Sequence, residues 1–169
     1  GISFYTFKVI SYLADLYNQK VKLQSLFDLF IYISFFPVLI AGPINRSNDF
    51  FSQLKNLKKF NYQDAKNGAL QCALGMFEKI VFADFIAIVV NNIFSNKELT
   101  GPYLILGTIL YSFQIYTDFG GYSNIARGVA QIMGIELIDN FHQPYLAKDI
   151  KSFWRRWHIS LTSWLTDYL

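Results

Sequence analysis

The sequence predicts an all-α protein: a polytopic membrane helical bundle with about four membrane segments, one of them bent or re-entrant, followed by an interfacial amphipathic helix. Composition is the first reason. The 169 residues are 53% hydrophobic and only 16% charged, whereas soluble domains carry about a quarter charged residues. Long uncharged runs are the second, because a membrane helix needs roughly 20 mostly apolar residues. The net charge of +3 is small and scattered, so nucleic acid is not an expected partner.

The first two segments differ in regularity. Residues 1–17 have the periodicity of an amphipathic helix. Residues 29–44 are uncharged, yet Pro37, Gly42 and Pro43 interrupt their second half. Because proline removes a backbone donor and clashes with the preceding turn, we expect this second segment to bend or to form a re-entrant segment.

The next two segments contrast in charge. Residues 68–94 contain Glu78, Lys79 and Asp84 within an apolar stretch, whereas residues 99–117 contain no charge at all. Charges inside a membrane segment are usually paired, so we expect Lys79 and Asp84 to form an ion pair.

Basic residues are distributed unevenly between the connecting segments. They concentrate in residues 45–67 and in the stretch after Asp118, which the positive-inside rule places in the cytoplasm. This predicts a protein of the cytoplasmic (inner) membrane with the lipid bilayer as a partner, and a single domain over residues 1–169. The one cysteine, Cys72, is expected to be a small buried residue.

The final segment predicts one amphipathic helix. At about 100° per residue, one stripe of that helix collects Trp154, Trp157, Leu161, Trp164 and Tyr168. His158 lies at the border of the stripe. Two interpretations remain open from the residues alone: an interfacial anchor, or a reaction centre that uses an imidazole with a pKa near neutral.

Five motifs occur in order: GISFYTF (1–7), FFPVLIAGPINR (35–46), GMFEKIVFAD (75–84), QIYTDFGGYSNIARG (114–128) and NFHQPYLAKDIKSFWRRWHISLTSWLTDYL (140–169). Together they resemble the bacterial branch of the membrane-bound O-acyltransferase family, of the alginate O-acetyltransferase type. The FWRRWHISL block is the most specific of them. The pair Ser123-Asn124, where many relatives have serine-aspartate, weakens an assignment to alginate itself.

The resemblance implies a membrane O-acyltransferase that takes an acyl group from a cytoplasmic donor, acetyl-CoA or another acyl thioester, with no bound cofactor or metal. The acceptor is a hydroxyl of an exported polysaccharide, reached with an extracytoplasmic acetyltransferase as partner. The resemblance also places a second, central histidine beyond Leu169. We therefore expect this chain to be a piece of a longer protein and to be inactive alone.

The candidate site centres on His158, which the resemblance makes a catalytic residue. Arg155 and Arg156 are candidates for binding donor phosphates, since guanidinium groups match phosphate geometry. A lipid headgroup or carboxylate partner is the alternative for both arginines. Further candidates for substrate or donor binding are Asp118, Tyr122, Ser123 and Trp157.

Asp118 has a structural alternative, namely that it marks a helix end next to Gly120 and Gly121. Ser123 has no visible base partner, so a serine nucleophile is not expected. His142, before Pro144, is expected in a surface loop.

Three functional alternatives remain at this stage. A teichoic-acid D-alanyl transfer component is the related one. A transporter or channel subunit without covalent chemistry would use Glu78, Lys79, Asp84 and Asp118 as an ion path. A structural membrane scaffold would use the last helix only as an anchor.

Overall fold

The computed structural model describes residues 2–169, of which 71% are helical and none lies in a strand. The helices are α1 (Ile2–Tyr17), α2 (Leu26–Ser34), α3 (Ser47–Lys55), α4 (Tyr62–Phe77), α5 (Asp84–Ser95), α6 (Pro102–Ile132), α7 (Ile150–Trp154) and α8 (Ile159–Tyr168). A π-helical turn, Glu78–Ala83, joins α4 to α5 without a break. Short 3-10 turns occupy Phe36–Val38 and Pro144–Leu146.

Helix α4 packs antiparallel against α6 through two pairs of glycines. A Cβ atom added at Gly68 would lie 2.5 Å from the Gly128 carbonyl oxygen, and one added at Gly75 would lie 2.5 Å from the Gly121 carbonyl oxygen. Real Cβ atoms do not come this close to a backbone oxygen. Only glycine therefore allows the two helix backbones to approach to this distance.

Aromatic side chains of α1, α2 and α3 form the core beside α6. Tyr32 is fully buried, and its ring centroid lies 5.4 Å from that of Phe50 and 5.2 Å from that of Phe51. Tyr12 of α1 meets Phe51 edge-on at 5.9 Å. Tilted and edge-on pairs of this kind contribute about 0.5–1.5 kcal/mol beyond the burial of their area.

A polar network joins the first and last helices. The Asp15 carboxylate of α1 accepts hydrogen bonds from the Ser47 hydroxyl at 3.2 Å and from the Tyr168 hydroxyl at 2.9 Å. Arg46 forms an ion pair with Asp167 of α8 at 2.5 Å. The bonds of Tyr168 and Asp167 each span more than a hundred residues of sequence, so they hold α8 against α1 and the start of α3.

The structure corrects the predicted membrane bundle. Within residues 2–169, every helix is too short or too polar to cross a membrane. Helices α1 and α4 have 16 residues each, α2 has nine, and α6, although 31 residues long, contains many hydroxyl, amide and glycine positions. The prediction treated a run without charges as an apolar run. The polytopic bundle is therefore wrong, whereas the helical character of the segments is confirmed.

The bent second segment is confirmed in its local form. Helix α2 ends at Ser34, a 3-10 turn contains Pro37, and Gly42 has a φ of +101°. A Cβ at Gly42 would touch the side chains of Val38 and Ala126, so the absence of a side chain here allows close packing. Of the first motif, Gly1 lies outside the described residues, and the rest belongs to α1.

The final amphipathic helix is not one helix. The backbone breaks between α7 and α8, where His158 adopts the left-handed conformation with φ +43° and ψ +53°. The proposed stripe is split as a result: Trp154 is 52% exposed, whereas Trp164 is buried and donates from Nε1 to the Phe7 carbonyl at 3.2 Å. A single interfacial helix is therefore wrong for this segment.

We predict that Gly121→Ala lowers the free energy of unfolding of the full-length protein by about 1–3 kcal/mol, as overpacking does elsewhere. Its Cβ would lie 2.7 Å from the Gly75 oxygen and 3.0 Å from the Lys79 nitrogen, and backbone atoms cannot rotate away. Thermal unfolding measures the change.

The matched control is the neighbouring Gly120→Ala. Its Cβ would lie no closer than 3.9 Å to any neighbouring atom, and alanine favours the helix more than glycine does. The free energy of unfolding of this variant should therefore rise by about 0.5–1 kcal/mol. Equal destabilisation by both variants would contradict the close approach of the helices.

Candidate functional site

His158 lies in a sharp turn between two short helices. Helix α7 begins with a capping box, in which the Asp149 carboxylate accepts the Ser152 N–H at 2.8 Å. After Trp154 the chain turns, and His158 takes the left-handed conformation just before α8. A non-glycine residue in this region is uncommon and stores about 1–3 kcal/mol of strain, and such residues cluster at functional sites.

Three phenylalanine rings surround the imidazole of His158. Phe119 of α6 meets it edge-on at 4.7 Å between centroids, and Phe4 and Phe141 are stacked at 6.4 Å. We call these three rings the aromatic cage. They come from α1, α6 and the loop before α7, so three distant parts of the chain converge on one side chain.

Inside the cage, His158 Nε2 is shielded from solvent and has no hydrogen-bond partner among the described residues. A buried polar atom without a partner typically costs about 1–3 kcal/mol, and most native structures avoid it. The hydrogen-bonding capacity of Nε2 is therefore unused within the described residues.

Burial lowers the pKa of His158 from its ordinary value of 6.5 to about 4. The apolar rings replace water around the ring and disfavour its charged form. The imidazole is thus neutral near pH 7, and a neutral imidazole offers one donor and one acceptor nitrogen.

Asn140 organises the turn that carries His158. Its backbone oxygen accepts the Ile159 N–H at 2.9 Å, and its side-chain oxygen accepts the Ser160 N–H at 3.4 Å. Its amide nitrogen donates to the Ser123 hydroxyl of α6 at 3.0 Å. A single side chain, only 1% exposed, therefore connects α6 to the start of α8.

A polar cavity of about 50 Å³ borders the same loop and shares Phe141 with the aromatic cage. Asn124 donates to Glu78 at 2.9 Å on its wall, and Arg127 pairs with Asp139 there. The volume is enough for a few water molecules or one small polar group.

Two of the sequence-predicted residues lie next to this arrangement. Trp157 packs against Phe141 at 5.0 Å and against Phe153 at 5.5 Å, so it supports the cage from outside. Ser123 is buried, and its described contact is the Asn140 amide rather than a base. Its role as a substrate contact, like that of Trp157, stays a prediction.

The structure places Asp118 and Tyr122 elsewhere. Asp118 lies inside α6 and pairs with Lys79 at 2.5 Å, so the helix-end alternative is wrong. The predicted pair of Lys79 with Asp84 is confirmed at 2.8 Å. The bonds from Asp118 and then Asp84 raise the pKa of Lys79. Tyr122 packs near Gly42 and the hydrophobic core.

The two arginines differ in exposure. Arg155 is exposed and Arg156 is partly buried, and the ion pairs among the described residues involve neither of them. Arg156 accepts the His142 N–H at its carbonyl, at 2.9 Å. His142 is exposed in a loop, as predicted.

Sequence reasoning missed Asn140 and the three cage rings. Phe4 lies 154 residues before His158 in the chain, and periodicity cannot reveal such a contact. The Asn-Phe pair at 140–141 stood within a quoted motif, but a buried asparagine has no spacing signal of its own.

The chain resembles known proteins over its full length. The model of the membrane-bound O-acyltransferase family matches residues 2–169. A probable alginate O-acetylase of Pseudomonas syringae pv. tomato is 41% identical over 174 residues, covering all of this chain and 33% of that relative. A peptidoglycan O-acetyltransferase of Helicobacter pylori is 34% identical, covering all of this chain and 37% of that relative.

A teichoic acid D-alanyltransferase of Bacillus subtilis is 36% identical over 177 residues, covering all of this chain and 44% of that relative. The chain thus spans between a third and a half of the length of these curated relatives.

We predict that the stability of the folded protein falls as the pH drops from 6.5 towards 4. In this window the unfolded chain binds a proton at residue 158 that the folded chain excludes, so the free energy of unfolding rises with pH. His158→Asn, which tolerates the left-handed backbone, should flatten this dependence. Thermal unfolding across pH 4–7 measures it.

His142→Gln is the control, because it removes an exposed imidazole and should leave the wild-type pH dependence in place. A wild-type slope in His158→Asn would show that the imidazole is not buried in the folded protein.

Proposed function

The chain belongs to the membrane-bound O-acyltransferase family, and from that premise we propose that the full-length protein moves an acyl group, acetyl in the first instance, from its donor towards the hydroxyls of an exported polysaccharide. It acts at the cytoplasmic membrane and draws on a cytoplasmic acyl thioester such as acetyl-CoA. The relatives named alginate O-acetylase and peptidoglycan O-acetyltransferase support acetyl and a polysaccharide acceptor.

One observation carries the proposal: the unpartnered Nε2 atom of His158 inside the aromatic cage. A surface anchor has no need for a strained backbone and a desolvated imidazole. An acyltransferase needs a site that excludes water and orients the acceptor hydroxyl, because water in the site would hydrolyse the donor.

The lowered pKa of His158 refines its role. A base works best when its pKa is near the operating pH, and a value of about 4 makes this imidazole a weak proton acceptor. We therefore assign His158 to alignment of the acceptor hydroxyl through Nε2. The proton then passes to a stronger base, for which the second histidine expected from the family resemblance is the candidate.

The reaction itself is an ester exchange. The hydroxyl oxygen attacks the thioester carbonyl carbon, the carbon–sulfur bond breaks, and the departing thiolate takes up the proton released by the hydroxyl. The oxyanion that develops in between needs donors or positive charge nearby.

Arg155 and Arg156 are proposed to hold the phosphates of the donor. Both lie within three residues of His158 in the chain, and neither takes part in the ion pairs formed among the described residues. Guanidinium groups bind phosphate oxygens in a bidentate manner, which gives orientation as well as affinity. An extracytoplasmic acetyltransferase is the proposed partner that carries the acyl group onward to the polysaccharide.

D-alanyl transfer to teichoic acid is the second candidate, favoured by the relative from Bacillus subtilis at 36% identity. The transporter alternative has less support. Lys79 pairs with the Asp84 and Asp118 carboxylates, and Glu78 accepts a hydrogen bond from the Asn124 amide, so each of these four charged groups has a partner within the protein.

We predict that His158→Ala lowers ester-linked acetate on the exported polysaccharide by about 10²-fold or more at matched membrane abundance, because the acceptor hydroxyl loses its alignment. The measurement is acetate released by mild base from the purified polysaccharide.

His142→Ala, in the exposed loop, is the control and should retain wild-type acetylation. Unchanged acetylation in His158→Ala would remove His158 from the reaction. Release of alanine in place of acetate from the wild-type product would favour the D-alanyl candidate.

We also predict that Arg155→Gln raises the KM for the acyl-CoA donor about 10-fold and leaves kcat nearly unchanged. Loss of one phosphate contact removes binding that is equal in the ground and transition states. Steady-state kinetics with varied donor measure this split. Lys148→Gln, which removes an exposed cation from the loop before α7, is the control, and an equal effect there would point to non-specific attraction.

A further inference from the structure

We infer that Asn140 is a positioning residue for His158: it caps α8 from a distant loop and so fixes the turn that places the imidazole in the aromatic cage. This inference rests on the proposed function of His158. It assigns a role to a residue that was not among the site residues predicted from the sequence.

Helix α8 lacks a cap of its own. The first backbone N–H groups of any helix have no partner within the helix, and the residue before the helix usually supplies one from a Ser, Thr, Asp or Asn side chain. Here that residue is His158, whose side chain forms no capping bond. A histidine that capped the helix would not be available to the cage.

Asn140 supplies both missing acceptors. Its carbonyl accepts from the Ile159 N–H at 2.9 Å, and its side-chain oxygen accepts from the Ser160 N–H at 3.4 Å. Asparagine is among the best capping residues, and here it acts across 20 residues of sequence. The imidazole of His158 therefore does not have to cap the first N–H groups of α8.

The other end of the Asn140 amide fixes the turn to α6. The nitrogen donates to the Ser123 hydroxyl at 3.0 Å, one helical turn beyond Phe119 on the same helix. Phe119 is the nearest ring of the cage to His158. One side chain therefore sets the distance between the imidazole and the helix that supplies its edge-on neighbour.

A second backbone bond reinforces the same geometry. The His142 N–H donates to the Arg156 carbonyl at 2.9 Å, so residues 140–142 run alongside residues 156–160. Phe141, between the two bonded residues, enters the cage. The loop thus positions both the histidine and one ring that shields it.

The experiment is a double-mutant cycle in the full-length protein, with initial acyl-transfer rates normalised to membrane abundance. We expect Asn140→Ala to lower the rate about 10²-fold in the wild-type background, because a small misplacement costs about that much. In the His158→Ala background the same change should cost less than about threefold, because the residue it positions is gone. A purely structural role would give the same factor in both backgrounds and would overturn the inference.

Two further variants sharpen the cycle. Asn140→Asp keeps an oxygen for the Ser160 N–H and accepts from the Ser123 hydroxyl, so it should recover activity to within about tenfold of wild type. A rate as low as that of Asn140→Ala would overturn the capping role. If Asn140→Ala fails to accumulate, Ser123→Ala takes its place and should show the same dependence on His158.

Gln53→Ala is the matched control. Its amide also bridges a distant backbone, donating to the Glu136 carbonyl at 3.1 Å and accepting the Glu136 N–H at 2.7 Å, away from the cage. It should leave the rate unchanged. Loss of activity in His158→Ala with an unaffected Asn140→Ala would overturn this inference alone, whereas an unaffected His158→Ala would overturn the proposed function and this inference with it.

Discussion

The close approach of α4 and α6 is the constraint on which the rest of the structure depends. Glycines spaced seven residues apart on each helix, Gly68 and Gly75 against Gly121 and Gly128, bring backbone against backbone. Because α6 is fixed by this contact, its opposite positions are fixed too. Phe119 and Ser123 then form a rigid surface for the loop before α7 and for the turn at His158.

Much of the helical structure could be predicted from local sequence patterns. The periodicity of residues 1–17 and the apolar stretch of residues 68–94 correspond to helices, and α2 ends shortly before the prolines of the second segment. The ion pair of Lys79 with Asp84 followed from the rule that charges in apolar surroundings are paired. These features depend on neighbours within a few turns, which a sequence displays directly.

The predicted membrane bundle was wrong because of how the uncharged runs were interpreted. Absence of charge was read as hydrophobicity, yet α6 is rich in Tyr, Ser, Gln, Thr and Gly, whose polar atoms reduce its apolar character. The break at His158 could not be predicted either, because it depends on hydrogen bonds to Asn140 across a loop. The histidine block drew attention to His158, but it could not reveal the burial, the backbone conformation or the neighbours of that residue.

The π-helical turn between α4 and α5 determines how the structure would respond to the deletion of a residue. Its wider spacing, with the Asp84 N–H bonded to the Lys79 carbonyl, holds one more residue than an α-helical turn. As a result Ala83 is buried at 2% exposure while Phe82 faces outward at 46%. Deleting one residue here would restore a regular α-helical turn and leave the later side chains of α5 on the same faces, because the wide turn already accommodates the extra residue. A one-residue deletion at this position would therefore be absorbed within the turn, and both the exposed face of α5 and the glycine contacts before it would stay in place.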